Sequence, residues 1–375
     1  MYTDNGIIKG GLIVKNQLIY DITETDIEAP TYAEIIDAKG LNVIPGFIDG
    51  HIHGAAGADT MDATEEAIDS IAKMLPKEGT TSFLPTTITQ SVENINKALK
   101  NLATYEHKEG LAEVLGIHLE GPFIEASKKG AQPGEYIIKP DLNQFNEWQE
   151  LSNNKIKTIT MAPEHDEDGT FITHLYEAGV NVSAGHTDAN FEDMKKAAKY
   201  GVRQLTHLCN AMNGIHHRDI GAVGSAFLLK DIKAELIADG IHVDRAMLQV
   251  IFNNVGSDRI ILITDAMRAK GLQAGNYELG GQPVIVTKDR AQLKSGSLAG
   301  SILKMDHGAR IMLSLEGVTI EDIIKMASIN PAKQIGVYDR KGSIAKGKDA
   351  DLLLVDDQLN IKMTICRGTI AHEEE

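Results

Sequence analysis

Residues 43–54 read VIPGFIDGHIHG, an apolar run that ends in two histidines one residue apart. Side chains on a strand alternate with period two, so as a strand this run points His51 and His53 to one side. Seven further apolar runs follow: TSFLPTT (81–87), EVLGIHLEG (113–121), IKTITMAPE (156–164), NVSAGHT (181–187), RQLTHLCNAM (203–212), KAELIADGIH (233–242) and RIILITDAM (259–267). Amphipathic helix candidates such as 64–75, 91–105, 190–200 and 244–254 lie between them. Eight strand–helix units in a row favour an α/β fold of the (β/α)8 barrel kind over an open doubly wound sheet. The helix between the sixth and seventh strands is poorly marked.

The two ends differ from this pattern. Residues 1–45 offer strand-like pieces, GIIKGGLIVKNQLIYD and AEIIDAKG, with turn residues and no helical period, and residues 342–371 look the same. The expectation is a small, discontinuous, sandwich-like β-domain from 1–45 and 342–375, around a barrel over 46–341 with a β insert near 276–294.

The 375 residues are 42% hydrophobic and 24% charged, as in a soluble globular protein. No apolar run approaches the roughly 20 residues that span a membrane, and the start, MYTDNGIIKGGLIVKNQ, lacks a secretory layout. Two cysteines, Cys209 and Cys366, exclude a disulfide framework, and the cytoplasm is the expected location. A net charge of −16 speaks against nucleic acid or an anionic membrane as partner. An anionic substrate must then be met by local cations.

In such a barrel the C-terminal strand ends face the active site. They carry His51 and His53, Glu120, His186, His207, Asp239 with His242, and Asp265. Imidazoles and carboxylates around one mouth suit one or two borderline divalent metals, zinc or iron first, with manganese or cobalt as further candidates. Taken singly, each has a plainer role: a strand-end histidine bonded into a loop, or Asp265 capping the next helix. Their joint placement favours a metal site. His118 is either a core histidine or a partner to the ligands, and Cys209 reads as packing.

The ordered set HIHG, HLEGPF, SAGHT, THLCNAM, DGIH, ITDAM and SLAGS, from residue 51 to 301, resembles the N-acetylglucosamine-6-phosphate deacetylases of the amidohydrolase superfamily. The resemblance implies a homodimer that hydrolyses the acetamide of a phosphorylated amino sugar. It assigns Glu120, His186 and His207 as primary metal ligands, His51 and His53 as a second pair, and Asp265 as the catalytic carboxylate. Ala131, Asn210, Ala211, Arg218, Asp239, Gly240, Ile241, His242, Leu298, Ala299 and Gly300 match its substrate contacts. Gln132 stands where some relatives have a histidine and is a candidate donor to the carbonyl oxygen; Cys209 and NGIHHRDIG also depart from the usual pattern. A cyclic amidase with a carboxylated lysine after strand four is a rival, but MAPEHD offers no lysine there. A silent binding homologue is the other, and it would be expected to lose ligands.

Overall fold

The computed structural model describes residues 1–24 and 33–374; residues 25–32 of the expected N-terminal β-segment lie outside the described residues. Eight parallel strands follow in chain order: β1 Phe47–Ile52, β2 Thr80–Pro85, β3 Ile117–Glu120, β4 Ile156–Met161, β5 Asn181–Ala184, β6 Val202–Leu205, β7 Lys233–Ile237 and β8 Ile260–Ile263. β3 to β8 pair in sequence as one sheet, and β1 pairs with β2. Parallel bridges Thr86–His118 and Ile52–Ala266 join the two sheets edge to edge, which closes a (β/α)8 barrel. The strands are buried on both faces, as parallel strands under a ring of helices must be.

One helix follows each strand: α1 Glu65–Met74, α2 Val92–Thr104, α3 Leu142–Leu151, α4 Thr170–Glu177, α5 Phe191–Tyr200, α6 Gly221–Leu228, α7 Arg245–Val255 and α8 Met305–Leu313. In α1 the Thr64 hydroxyl caps the Ala67 N–H, and Ala67, Ile68, Ile71 and Ala72 form the inward stripe. The helix that sequence periodicity marked poorly is α6. Its sequence, GAVGSAFL, is buried from Gly221 through Ala226, so no polar face exists to reveal a period. Among the described residues no helix is long and apolar enough to cross a membrane.

Before α8 a three-stranded antiparallel meander, Gly275–Leu279, Gln282–Val286 and Ala291–Leu293, stands over the mouth. Its Leu279, Val284, Val286 and Ala291 pack against Ile88, Met267 and Ala299. At the chain ends, Asn42–Pro45 joins Leu352–Val355, Ile361–Cys366 and Thr369–Glu373 in one antiparallel sheet. Residues 11–23 form a separate hairpin. AEIIDAKG, read as strand-like, forms no strand. Ile35 is 73% exposed and Ile36 40%, so no buried face rewards pairing.

Gly46 carries the chain from the end sheet into β1, where a Cβ would stand 2.2 Å from Thr81 Oγ1. The same junction holds a buried lysine. Lys341 Nζ meets Glu113 at 2.7 Å, Asp349 at 3.1 Å and the Asp351 carboxylate, tying the C-terminal segment to the barrel wall. Removing one partner of a buried ion pair costs about 3–5 kcal/mol. Lys341→Met should therefore lower stability by about that amount in denaturant unfolding; an unchanged midpoint would show that Arg340, which meets Glu113 at 2.6 Å and Asp349 at 3.0 Å, neutralises the cluster without it.

Candidate active site

His51 is the last residue but one of β1 and His53 follows that strand directly, Glu120 ends β3, and His186, His207 and Asp265 follow β5, β6 and β8 by two residues each. All six side chains converge. Glu120 Oε1 lies 3.2 Å from His186 Nε2 and 3.3 Å from His207 Nε2, and the two ring nitrogens are 3.1 Å apart. Glu120 Oε2 lies 3.2 Å from His53 Nε2, while Asp265 Oδ1 lies 3.2 Å from His53 and 3.4 Å from His51. Glu120 is shared by both sets and is only 2% exposed.

Backbone strain delivers these side chains. His186, His207 and Asp265 hold left-handed φ angles of 47°, 32° and 47°, a region non-glycine residues enter only when neighbours enforce it. The neighbours are visible. The Asp265 N–H donates to the His51 carbonyl at 2.8 Å, and the Ser301 N–H donates to the Asp265 carbonyl at 2.7 Å. Buried Asp49 accepts from the Thr264 N–H and hydroxyl and from the His51 N–H, stitching β1 to β8 beneath the site. Gly185 precedes His186 because a Cβ there would meet Thr206 Cβ at 2.6 Å.

Three rings have their second nitrogen committed. Nδ1 of His186 faces the Lys128 carbonyl at 2.9 Å, that of His53 the Thr86 carbonyl at 3.2 Å, and that of His51 the Glu235 carboxylate at 3.1 Å. Carbonyls and ionised carboxylates only accept, so Nδ1 carries the proton and Nε2 of the neutral ring presents a lone pair. Those lone pairs face carboxylate oxygens. The arrangement calls for a positive charge at Nε2, either a proton or a metal ion. Separations of 3.1, 3.2 and 3.3 Å within Glu120–His186–His207 match the edge of a tetrahedron with bonds of about 2.0–2.1 Å, roughly 3.3 Å. His51, His53 and Glu120 form a second compatible group.

With protons alone as counter-charge the groups shift accordingly. Burial pushes the Glu120 carboxyl up, but His51 and hydrogen bonds from His186 and His207 hold it well below its usual value. Burial also opposes Asp265 ionisation, yet His51 and His53 bring it down to about 2. Burial disfavours the charged His53, but Asp265 and Glu120 lift it to about 10. His118, by contrast, is held well below its ordinary value by burial and by His51. It bonds Thr160 and Thr86 and stacks edge-on against His51, so it supports that ring from below. Burial raises the Cys209 thiol to about 11, in keeping with packing.

Above the cluster lies a cleft of about 340 Å3, within the range of small-ligand pockets. Ala131, Gln132, Asn210, Ala211, His242, Leu298 and Gly300 line it, as do Lys128 and Leu279, which sequence reasoning missed. Other candidates sit elsewhere. Ala299 is fully buried under the meander and does not line the cleft. Asp239 accepts from the Ile241 and His242 N–H groups and pairs with His242 Nδ1 at 2.6 Å; it aims His242 from behind the wall, and Gly240 and Ile241 form that turn. Arg218 lies on an exposed loop after β6, against His217 Nε2 at 2.6 Å, outside the lining. Gln132 is committed: it donates to Glu120 Oε2 at 2.7 Å and accepts from the Thr89 N–H at 2.8 Å. That makes it a holder of Glu120 before it is a donor to substrate.

A (β/α)8 barrel whose mouth carries a donor set that could hold a divalent metal is the arrangement of an amidohydrolase-type hydrolase, and residues 42–371 match the amidohydrolase family profile: the chain belongs to the amidohydrolase family. Within that class it is similar to the N-acetylglucosamine-6-phosphate deacetylase of Bacillus subtilis, 46% identical over 98% of this chain and 94% of that protein. The N-acetylgalactosamine-6-phosphate deacetylase of Escherichia coli O157:H7 is 37% identical over 91% of each. The crystal structure of N-acetylglucosamine-6-phosphate deacetylase from Pasteurella multocida superposes with a TM-score of 0.90 at 30% identity, over 98% of this chain and 97% of that one.

The shared carboxylate makes a graded outcome. Zinc content measured after chelation and reloading should fall to background in Glu120→Ala and lose the tighter ion in His186→Ala and His207→Ala. His51→Ala should remove only the more weakly held ion. Wild-type zinc content in Glu120→Ala would refute the ligand assignment.

Proposed function

We propose that this chain hydrolyses the acetamide of N-acetylglucosamine 6-phosphate to glucosamine 6-phosphate and acetate, in amino-sugar catabolism and recycling. The observation that carries the reading is the tetrahedral spacing of Glu120, His186 and His207 beside an ionisable Asp265, at the floor of a cleft of sugar size. The similarity to two curated amino-sugar-6-phosphate deacetylases supports the substrate class. A cyclic amidase is disfavoured. Lys155 precedes β4 at the far end of the barrel, where its Nζ donates to the Leu102 carbonyl, so it cannot bridge metals at the mouth.

Glu120, His186 and His207 would hold one divalent ion, zinc or iron by the donor set, and His51 with His53 a second. A metal bound there supplies Lewis acidity that lowers the pKa of a water towards about 7. Asp265 takes the proton of the attacking water and returns it to the nitrogen of the departing amine. Gln132 keeps Glu120 turned towards the histidines. Ala131, Asn210, Ala211, Leu298 and Gly300 bound the sugar.

The 6-phosphate is assigned to His242, which Asp239 orients, and to Arg218, whose exposed guanidinium makes no carboxylate pair among the described residues. Two parallel N–H bonds from a guanidinium suit a phosphate, whatever the sign of the overall charge. We also read the protein as a cytoplasmic homodimer; its two unpaired cysteines suit a reducing compartment, and light scattering tests the dimer.

Acetate release from N-acetylglucosamine 6-phosphate by zinc-loaded protein tests the reading, and its absence there together with turnover of a cyclic amide would overturn it. Asp265→Asn should lower kcat by about 10²–10⁴ with metal content unchanged. Near-normal kcat would return Asp265 to a structural role. Arg218→Ala should lower kcat/KM for the phosphorylated sugar by roughly 10- to 100-fold and leave the slow reaction of N-acetylglucosamine unchanged. An equal loss on both sugars would remove Arg218 from the phosphate.

A further inference from the structure

The barrel interior beneath the site is polar, where branched aliphatic side chains ordinarily fill it. Glu235, in the middle of β7, is 1% exposed and is not among the residues that line the cleft. Its Oε2 faces His51 Nδ1 at 3.1 Å and accepts the His207 backbone N–H at 3.3 Å. Its Oε1 accepts from Gln204 Nε2 at 2.6 Å. The bonds continue away from the site: Asn181 donates to Gln204 at 3.0 Å, Gln334 to Asn181 at 2.6 Å, and Lys233 Nζ to Gln334 at 3.0 Å. Lys233 and Asn181 begin β7 and β5, so this chain of side chains runs from the site to the opposite end of the barrel.

Its ends fix its direction. Lys233 can only donate and an ionised Glu235 only accept, and the Arg203 carbonyl also accepts from Gln334 at 3.3 Å. Each amide between them therefore turns its oxygen towards Lys233 and its nitrogen towards Glu235. Gln204 is locked as a donor to position 235.

We propose that Glu235 is a positioning residue that couples the two halves of the site. It fixes the His51 ring with Nε2 towards Glu120 and Asp265, and it pins the His207 backbone in its left-handed conformation. The inference rests on the reading that His51 and His207 hold metal. A carboxylate on the far N–H of a liganding histidine fixes the tautomer, and its loss typically costs 10- to 100-fold in metal affinity or activity.

The lock on Gln204 gives the test its logic. In Glu235→Gln a carboxamide whose oxygen faces the Gln204 N–H leaves its NH2 against His51 Nδ1 and against the His207 N–H, so the hold on the His207 backbone is lost as well. Nδ1 must then accept, and the ring proton moves to Nε2, the atom that should face the metal. Removing Gln204 as well frees the carboxamide to turn its oxygen back to His51.

Competition against a zinc chelator measures the dissociation constant of the more weakly held ion in wild type, Glu235→Gln and Glu235→Gln/Gln204→Ala. The expected result is a 10- to 100-fold weaker constant in Glu235→Gln and recovery of most of it in the double variant. Equal loss in both would mark Glu235 as a plain core group, and wild-type affinity in Glu235→Gln would also overturn the proposal. Long-range 1H–15N spectra of zinc-loaded wild type labelled at histidine need no variant to fold. They should show His51 protonated at Nδ1; a proton on Nε2 would overturn the proposal. A wild-type chain that takes up no zinc at all would overturn the metal reading itself, and this inference with it.

Discussion

A carboxylate buried among imidazoles is the constraint on which the rest of this structure depends. Glu120 is removed from water, and an isolated charge in that position is prohibitively costly unless cations answer it. Four ring nitrogens lie within 3.5 Å of its two oxygens. Three of those rings have given their other nitrogen to an acceptor, so their free lone pairs compete for the same positive charge. Local geometry thus states what the site lacks in charge before any reaction is considered. The same low dielectric that makes the cluster costly would strengthen its hold on a divalent ion.

The scaffold is arranged around that cluster. Strand ends deliver the candidate ligands and Asp265 in parallel, left-handed backbone turns His186, His207 and Asp265 inward, and buried polar bridges keep them there. Asp49 joins β1 to β8, and Glu235 joins β1 to β6 and β7. Strain at these positions is offset by the aliphatic core and helix ring outside them, which is the usual division of labour between a barrel's wall and its mouth. The meander over the mouth contributes Leu279 to the cleft, so substrate access and packing of that insert are linked.

Much of this was legible in the sequence because parallel barrel strands advertise themselves as apolar runs, and their polar ends mark the mouth. The six candidate side chains are picked out by their position at strand ends and their roles by the resemblance, and the structure brings all six side chains together. What stayed hidden has physical causes. α6 is buried along most of its length and shows no amphipathic period. AEIIDAKG has strand-forming residues, but Ile35 and Ile36 stand exposed and only Ala38 packs against the end-domain core. Ala299 and Asp239 sit within matching motifs, yet a motif cannot say which of its residues face the ligand and which hold the turn. Glu235 draws no reading from the sequence of KAELIADGIH; only pairing of β7 with its neighbours brings it under His51. An acidic residue at the centre of an otherwise apolar strand was the available signal.

The central claim is that Glu120, His186 and His207 are one metal site. Anomalous diffraction at the zinc edge from zinc-loaded crystals tests it most directly. The account predicts a peak about 2.0–2.2 Å from a Glu120 oxygen and from Nε2 of both histidines. Catalytically active crystals with no peak at Glu120, or with their strongest peak elsewhere, would contradict it.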